Sequence, residues 1–251
     1  MARMYPNKPD PSTESPAERL LYEAFREGLD NTYTVFHSVA WQALGGNGRT
    51  RDGEADFVIA HPRRGILVLE VKGGIIQYHA RSRQWISISR GDNRAHPIKD
   101  PFGQARAGKY TLNDMLARMS GYPPYKINLG HAVAFPDVSI GDKFLGPDRP
   151  REIILDQADL ANVSAWVGGC LAYWRGQATQ AATAPTEAVV ENLMEVLGKS
   201  WELRPKMWGE FQLEQQKFIQ LTEEQYLYLN FLNRHRRAAI CGCAGSGKTL
   251  M

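Results

Sequence analysis

"DGEADFVIAHPRRGILVLEVKGG", residues 52–74, places two apolar, β-branched runs, EADFVIA and GILVLEV, on either side of the turn-forming HPRRG. Runs of this length and composition around a Pro- and Gly-containing turn read as a β-hairpin. Side chains alternate along a strand, so Glu70 and Lys72 project from one face while Val71 between them points into the core. A hairpin also brings its outer ends together. Asp56, at the start of the first arm, is thereby predicted beside Glu70 and Lys72 near the end of the second, and Glu54 shares a strand face with Asp56.

Two close carboxylates repel unless something neutralises them. A hard divalent cation does so with oxygen ligands and keeps waters for catalysis. Lys72 would then orient or help deprotonate a water, and the implied reaction is metal-assisted hydrolysis of a phosphodiester. The plainer reading of Glu-x-Lys on a strand is an ion pair, with Glu54 and Asp56 as solvent-facing turn residues. Three features favour the site: a carboxylate at the paired end of the hairpin, Gly73-Gly74 permitting close backbone approach, and Gln104 opening a downstream helix.

Outward from the hairpin, SPAERLLYEAF predicts a helix with Ser15 as N-cap, Pro16 at its first position and Glu18 third in a capping box. TYTVFHSVAW predicts a strand, GGNGRTRDG a loop, and IIQYH and QWISIS two strands continuing the sheet. DPFGQARAGKYTLNDMLARM predicts a second helix capped by Asp100; LGHAVAFP and REIILD predict strands, and a helix follows over 159–174. This order gives an α/β (α+β) fold with a mixed sheet flanked by helices.

Acid, hairpin and Glu-x-Lys form the pattern of the PD-(D/E)xK nuclease superfamily, with its restriction-endonuclease-like sheet. More closely, GEADFVIAHPRRGILVLEVKGG with Trp85 and HPIKDPFGQARAG resembles the nuclease-related domain known as NERD, over roughly residues 15–136. The resemblance implies that Asp56, Glu70 and the backbone carbonyl of Val71 hold Mg²⁺ or Mn²⁺, with Glu54 in reserve, and that Lys72 is the catalytic lysine. It also implies an outer carboxylate at Glu18, whose capping-box role stays open beside it, and a polar group at Gln104 facing the site. A Tyr that relatives place four residues after the Gln is Gly108 here, with Tyr110 two further on.

Charge bears on the partner. The chain has 251 residues and a net charge of +3, yet residues 49–118 hold thirteen Lys and Arg against seven Asp and Glu, leaving the remainder at about −3. Arg49, Arg51, Arg63, Arg64, Arg81 and Arg83 cluster in predicted loops near the proposed site and are expected to contact phosphates, with DNA as the expected polyanion. A solvated basic surface is the alternative. His37, His61, His79, His96 and His131 show no ligand spacing and read as core or surface residues.

A second motif closes the chain. In CGCAGSGKTLM, residues 241–251, Gly242, Gly245 and Gly247-Lys248-Thr249 have the spacing of a loop whose backbone N–H groups wrap phosphates. LTEEQ, ending at Gln225, resembles the adenine-reading Q motif of superfamily 1 helicases. Only two residues follow Thr249, so no ATP turnover is expected from this chain, and ATP belongs to a full-length parent. NERD domains are often fused to such helicase-like ATPases, which implies a missing motor domain in cis. The expected organisation is a loose arm over 1–14, a nuclease-like domain over 15–175, the low-complexity linker GQATQAATAPTEA over 176–188, and a helical connector with the truncated start of an ATPase domain over 189–251.

With 43% hydrophobic and 23% charged residues, no apolar signal region and three cysteines without a pairing pattern, the chain reads as a cytoplasmic protein off the membrane. The expected activity is a metal-dependent nuclease on DNA. A nucleic-acid-binding module without catalysis is the alternative.

Overall fold

The computed structural model describes residues 1–9, 15–44, 50–89, 91, 93–118, 127–178, 182–198, 227 and 230. Two compact units emerge, Met1–Lys199 and Ser200–Met251, and only Leu227 and Asn230 are described in the second. No described helix is long and apolar enough to cross a membrane.

In the first unit, six strands form one mixed sheet. They are β1 (Arg3–Tyr5), β2 (Thr34–Leu44), β3 (Thr50–His61), β4 (Gly65–Val71), β8 (Leu129–Phe135) and β9 (Ile154–Asp156), in that spatial order. β2, β3 and β4 are antiparallel neighbours, while β1 on β2, β8 on β4 and β9 on β8 are parallel. The apolar β4 run is buried at every position, as a strand covered on both faces must be. On one face, Leu21, Tyr22 and Phe25 of α1 (Pro16–Gly28) and Trp166, Val167 and Leu171 of α3 (Val163–Gln177) pack on Val35, Phe57, Ile59, Leu67 and Leu69. On the other, Leu112 and Leu116 of α2 (Pro101–Leu116) and Val189, Val190 and Leu193 of α4 (Glu187–Leu197) pack on Phe36, Val58, Ala60, Ile66 and Val68. This is a sheet flanked by helices, as the element order implied.

Several boundaries differ from the sequence expectation. Residues 3–5 of the predicted arm add a short parallel strand to β2. β3 begins at Thr50, inside the predicted loop, because it extends to match the full length of β2. β5 (Ile75–His79), β6 (Gln84–Ile88) and the unpredicted β7 (Ala95–Ile98) form a separate three-stranded antiparallel sheet rather than continuing the first. Residues 157–162 are 3₁₀ rather than α-helical, their N–H groups drawn onto the Asp156 cap. α4 packs on β2 and so joins the first unit, although the sequence grouped residues 189–197 with the tail.

Gly65 closes the β3–β4 turn with φ +147°, and a Cβ there would meet the Asn128 carbonyl oxygen at 2.7 Å. Asn128 is held in place by donating from Nδ2 to the carbonyls of Arg64 and Leu171, at 2.7 and 2.9 Å. Gly65→Ala is therefore expected to destabilise the fold by about 1–3 kcal/mol, read as a lowered Tm in thermal melts. An unchanged Tm would show that the turn tolerates a side chain.

Candidate active site

The ladder between β3 and β4 ends at Phe57–Leu69, one step short of Asp56 and Glu70, which the register sets opposite each other. Instead of another backbone pair, Asp56 Oδ2 accepts the Val71 N–H at 2.6 Å. The β2–β3 ladder is also interrupted here: His37 pairs with Phe57 and Val39 with Ala55, skipping Ser38 and Asp56. Ser38 has φ +54°, a left-handed conformation that costs a non-glycine residue about 1 kcal/mol or more and that clusters at functional sites. Beyond this point the faces exchange. Val35 and Phe57 belong to the α1/α3 core, but Val39 and Ala55 belong to the α2/α4 core. The interruption frees Asp56 from simple alternation.

Glu70 is buried, and Lys72 Nζ donates to its Oε1 at 2.5 Å. Val71 is packed in the core between them, as the strand period required. The Lys72 N–H donates to the Ala134 carbonyl at 2.9 Å, so β8 fixes the strand end that carries the lysine. Burial, with the Glu70 charge next, pushes the Asp56 carboxyl up to about 7. Burial also raises Glu70, against the opposing pull of Lys72. Glu70 and half-buried Asp56 share one cation, and both carboxyls are raised.

Glu18 reaches the same place from α1. Ser15 Oγ accepts the Glu18 N–H at 3.3 Å, which completes the N-cap, while the Glu18 carboxylate lies 3.3 Å from His37 Nε2. That hydrogen bond, outweighing burial, holds the Glu18 carboxyl below the usual range, and Lys72 adds a smaller lowering. A Cβ on Gly73 would sit 3.0 Å from Ala17 Cβ, so the glycine after the motif lets α1 close onto the strand end. Asp56 and Glu70 both feel the Glu18 charge, and Glu70 also feels exposed Glu54. Asp56, Glu70, Lys72, Glu18 and Glu54 therefore converge.

Gln104 lies one turn before Gly108, where a Cβ would be 3.2 Å from the Glu54 carbonyl oxygen and 3.2 Å from Val68. Its Oε1 is buried with no hydrogen-bond partner, an unmet acceptor on the helix that packs along β3 and β4. Gly108 lets that helix approach.

Other expected residues lie elsewhere. Arg63 and Arg64 occupy the hairpin turn, five residues of strand from Glu70 and so roughly 17 Å away, and Arg64 Nη1 donates to the Tyr33 hydroxyl at 2.9 Å. The two arginines are thus remote from the carboxylates rather than beside them. Arg81 and Arg83 are exposed in the β5–β6 turn. Arg49 and the Arg51 side chain lie outside the described residues, as do Gln225, Gly242, Gly245, Gly247, Lys248 and Thr249. His37, read from the sequence as a core or surface histidine, is the residue missed at the site. Its place on β2, one residue from the strand position facing Asp56, was the available signal.

Among the described residues no group of three His, Cys, Asp or Glu side chains is arranged to hold a metal ion. The donor set that fits one is smaller: buried Glu70, half-buried Asp56, whose carboxyl burial pushes up to about 7, and the backbone carbonyl of Val71.

A comparison with protein families now applies. Residues 13–136 match the nuclease-related domain, NERD. No curated protein and no solved structure matches the chain. The NERD match includes α1, the hairpin, the second sheet, α2 and β8, and thus every described member of the carboxylate cluster. It ends before the tail, whose phosphate-loop spacing no family match covers.

Proposed function

We propose that the NERD domain of this chain is a Mg²⁺- or Mn²⁺-dependent nuclease that hydrolyses phosphodiester bonds in DNA. The observation that carries this reading is the convergence of Asp56, Glu70 and Lys72 at a strand end where burial leaves two carboxylates under-compensated. Asp56, Glu70 and the Val71 carbonyl would hold the ion, with Glu54 in reserve. The ion, when bound, supplies charge neutralisation and Lewis acidity at the scissile phosphate. Lys72 would donate from Nζ to the attacking water and orient it, favouring loss of the water's proton to solvent as its oxygen attacks phosphorus. Glu18, anchored by His37, and Gln104, with its unpartnered Oε1, position water around the phosphate. Exposed Arg81 and Arg83 supply phosphate contacts.

A second reading, a nucleic-acid-binding module without catalysis, draws on the lack of a three-side-chain metal group among the described residues. For the tail, spacing alone supports a nucleotide-binding loop of a helicase-like ATPase that takes ATP in a longer parent. Intracellular DNA processing is the setting this reading implies.

Purified protein incubated with labelled single- and double-stranded DNA in Mg²⁺, Mn²⁺ or EDTA decides between the two. Metal-dependent cutting that falls about a hundredfold or more in Lys72→Ala is expected. DNA binding without cutting under any condition would leave the binding module.

A further inference from the structure

A cleft of about 500 Å³ lies between the second sheet and the loop after β8. It adjoins the carboxylate cluster through the chain itself. Ile75 on its wall is three residues past Lys72, and Phe135, also on its wall, follows Ala134, whose carbonyl binds the Lys72 N–H. Gly74 ties the two walls together by donating its N–H to Asp137 Oδ2 at 2.7 Å.

The lining is apolar, with the aromatic rings of Tyr78, Trp85, Phe135 and Phe144 set among aliphatic side chains. Tyr78 and Trp85 are cross-strand partners with ring centroids 4.8 Å apart, and the Arg149 guanidinium lies 4.3 Å from the first ring and 4.9 Å from the second. Phe144 stands on the loop beside the cleft with 81% of its surface exposed. Arg149 pairs with Asp148 at 3.7 Å, and Lys143 on the wall adds a second cation. Aromatic faces with basic groups at the rim match a nucleic-acid strand, whose bases stack while its phosphates meet the cations. A duplex keeps its base faces covered.

The geometry points to this cleft as the subsite for an unpaired base of the strand whose backbone meets Asp56, Glu70 and Lys72. The inference rests on the nuclease reading and specifies its substrate as a single strand or a frayed end. Phe144 closes over the base, and the Arg149 guanidinium, which lies on Tyr78 and Trp85, forms the opposite stacking surface.

Fluorescence anisotropy in EDTA, where no cutting occurs, tests it with a labelled DNA strand, its RNA counterpart, the same strand with abasic sites, and a blunt duplex. Phe144→Ala is expected to weaken binding of a single strand about tenfold and to leave the abasic strand and the duplex unchanged. Such a loss on either the DNA or the RNA strand supports the subsite and names the strand. Equal affinity for strand, abasic strand and duplex, or no effect of Phe144→Ala, overturns it and assigns the cleft to a protein partner. Because Phe144 is exposed, the variant's fold is not at risk. A Phe144→Ala binding defect in a protein that never cuts DNA would retain the subsite while removing the nuclease reading.

Discussion

Asp56→Asn is expected to abolish metal-dependent cleavage, by about a thousandfold or more, and to raise the Tm of the metal-free protein at pH 8. The loss follows from removing one of two anionic ligands at the proposed ion site. The gain follows from linkage. The Asp56 carboxyl titrates at about 7 in the fold, against 3.8 when unperturbed, so between these values the folded chain holds a proton that the unfolded chain has released. Stability from this group is therefore present at low pH and is lost as pH rises towards and through 7. Full ionisation in the fold costs up to about 4 kcal/mol with the attraction of Lys72 already included, and solvent screening of the half-buried carboxyl lowers this, so a gain of about 1–3 kcal/mol is expected for the uncharged Asn. Asn can still accept the Val71 N–H. Two measurements check this. Thermal melts from pH 5 to pH 8 should fall in the wild type and stay flatter in the variant, and Mn²⁺ should raise the Tm of the wild type at pH 8 but not that of the variant. A variant less stable than the wild type at pH 8 would mean that Asp56 serves the fold and not a cation.

Asp156→Ala is expected to have the opposite character, a large structural loss at a distance from the carboxylates. The Asp156 side chain is wholly buried and accepts N–H groups from Ile140 at 2.8 Å, Ala158 at 2.9 Å and Asp159 at 3.4 Å, with Arg151 at 3.2 Å. Burial would raise its carboxyl, but these donors outweigh it and hold the group below the usual aspartate range. For a depressed acid, the stabilisation is present above the unfolded pKa and is lost as pH falls through the folded one. Alanine leaves three backbone donors without that acceptor and an arginine without one partner, which costs about 3–5 kcal/mol. Urea unfolding at pH 7 should show the loss, and the gap between variant and wild type should narrow below pH 4. A shift under 1 kcal/mol at pH 7 would mean that water replaces the carboxylate.

The hairpin and the meeting of its outer ends were legible because they depend on a period of two and a turn. GILVLEV is buried throughout, Val71 faces inward, and Asp56 and Glu70 sit opposite one another. The same hairpin logic places Arg63 and Arg64 at the turn, far from the outer ends; proximity in sequence to the motif was the misleading cue. Glu18 shows the backbone half of its capping-box expectation, its N–H donating to Ser15, while its carboxylate turns to His37. What was not legible is non-local. Nothing in IIQYH or QWISIS tells whether they pair with β4 or with each other, and β7 contains Pro97, which lowers its strand signal although an edge strand tolerates it. The Ser38 distortion was likewise hidden, because no side-chain pattern announces a left-handed serine inside TYTVFHSVAW.

The pairing of β4 with β8 also bears on how the chain folds. Ile66 meets Leu129, 63 residues later, so the most apolar strand waits for a partner that a growing chain delivers late. During that interval IleLeuValLeu has the composition of an aggregation-prone segment. Arg63 and Arg64 precede it and Glu70 and Lys72 follow it, so charged residues guard both ends. Folding kinetics would therefore feel the loss of the motif charges as well: a nascent chain lacking Glu70 and Lys72 exposes a stickier strand before β8 arrives.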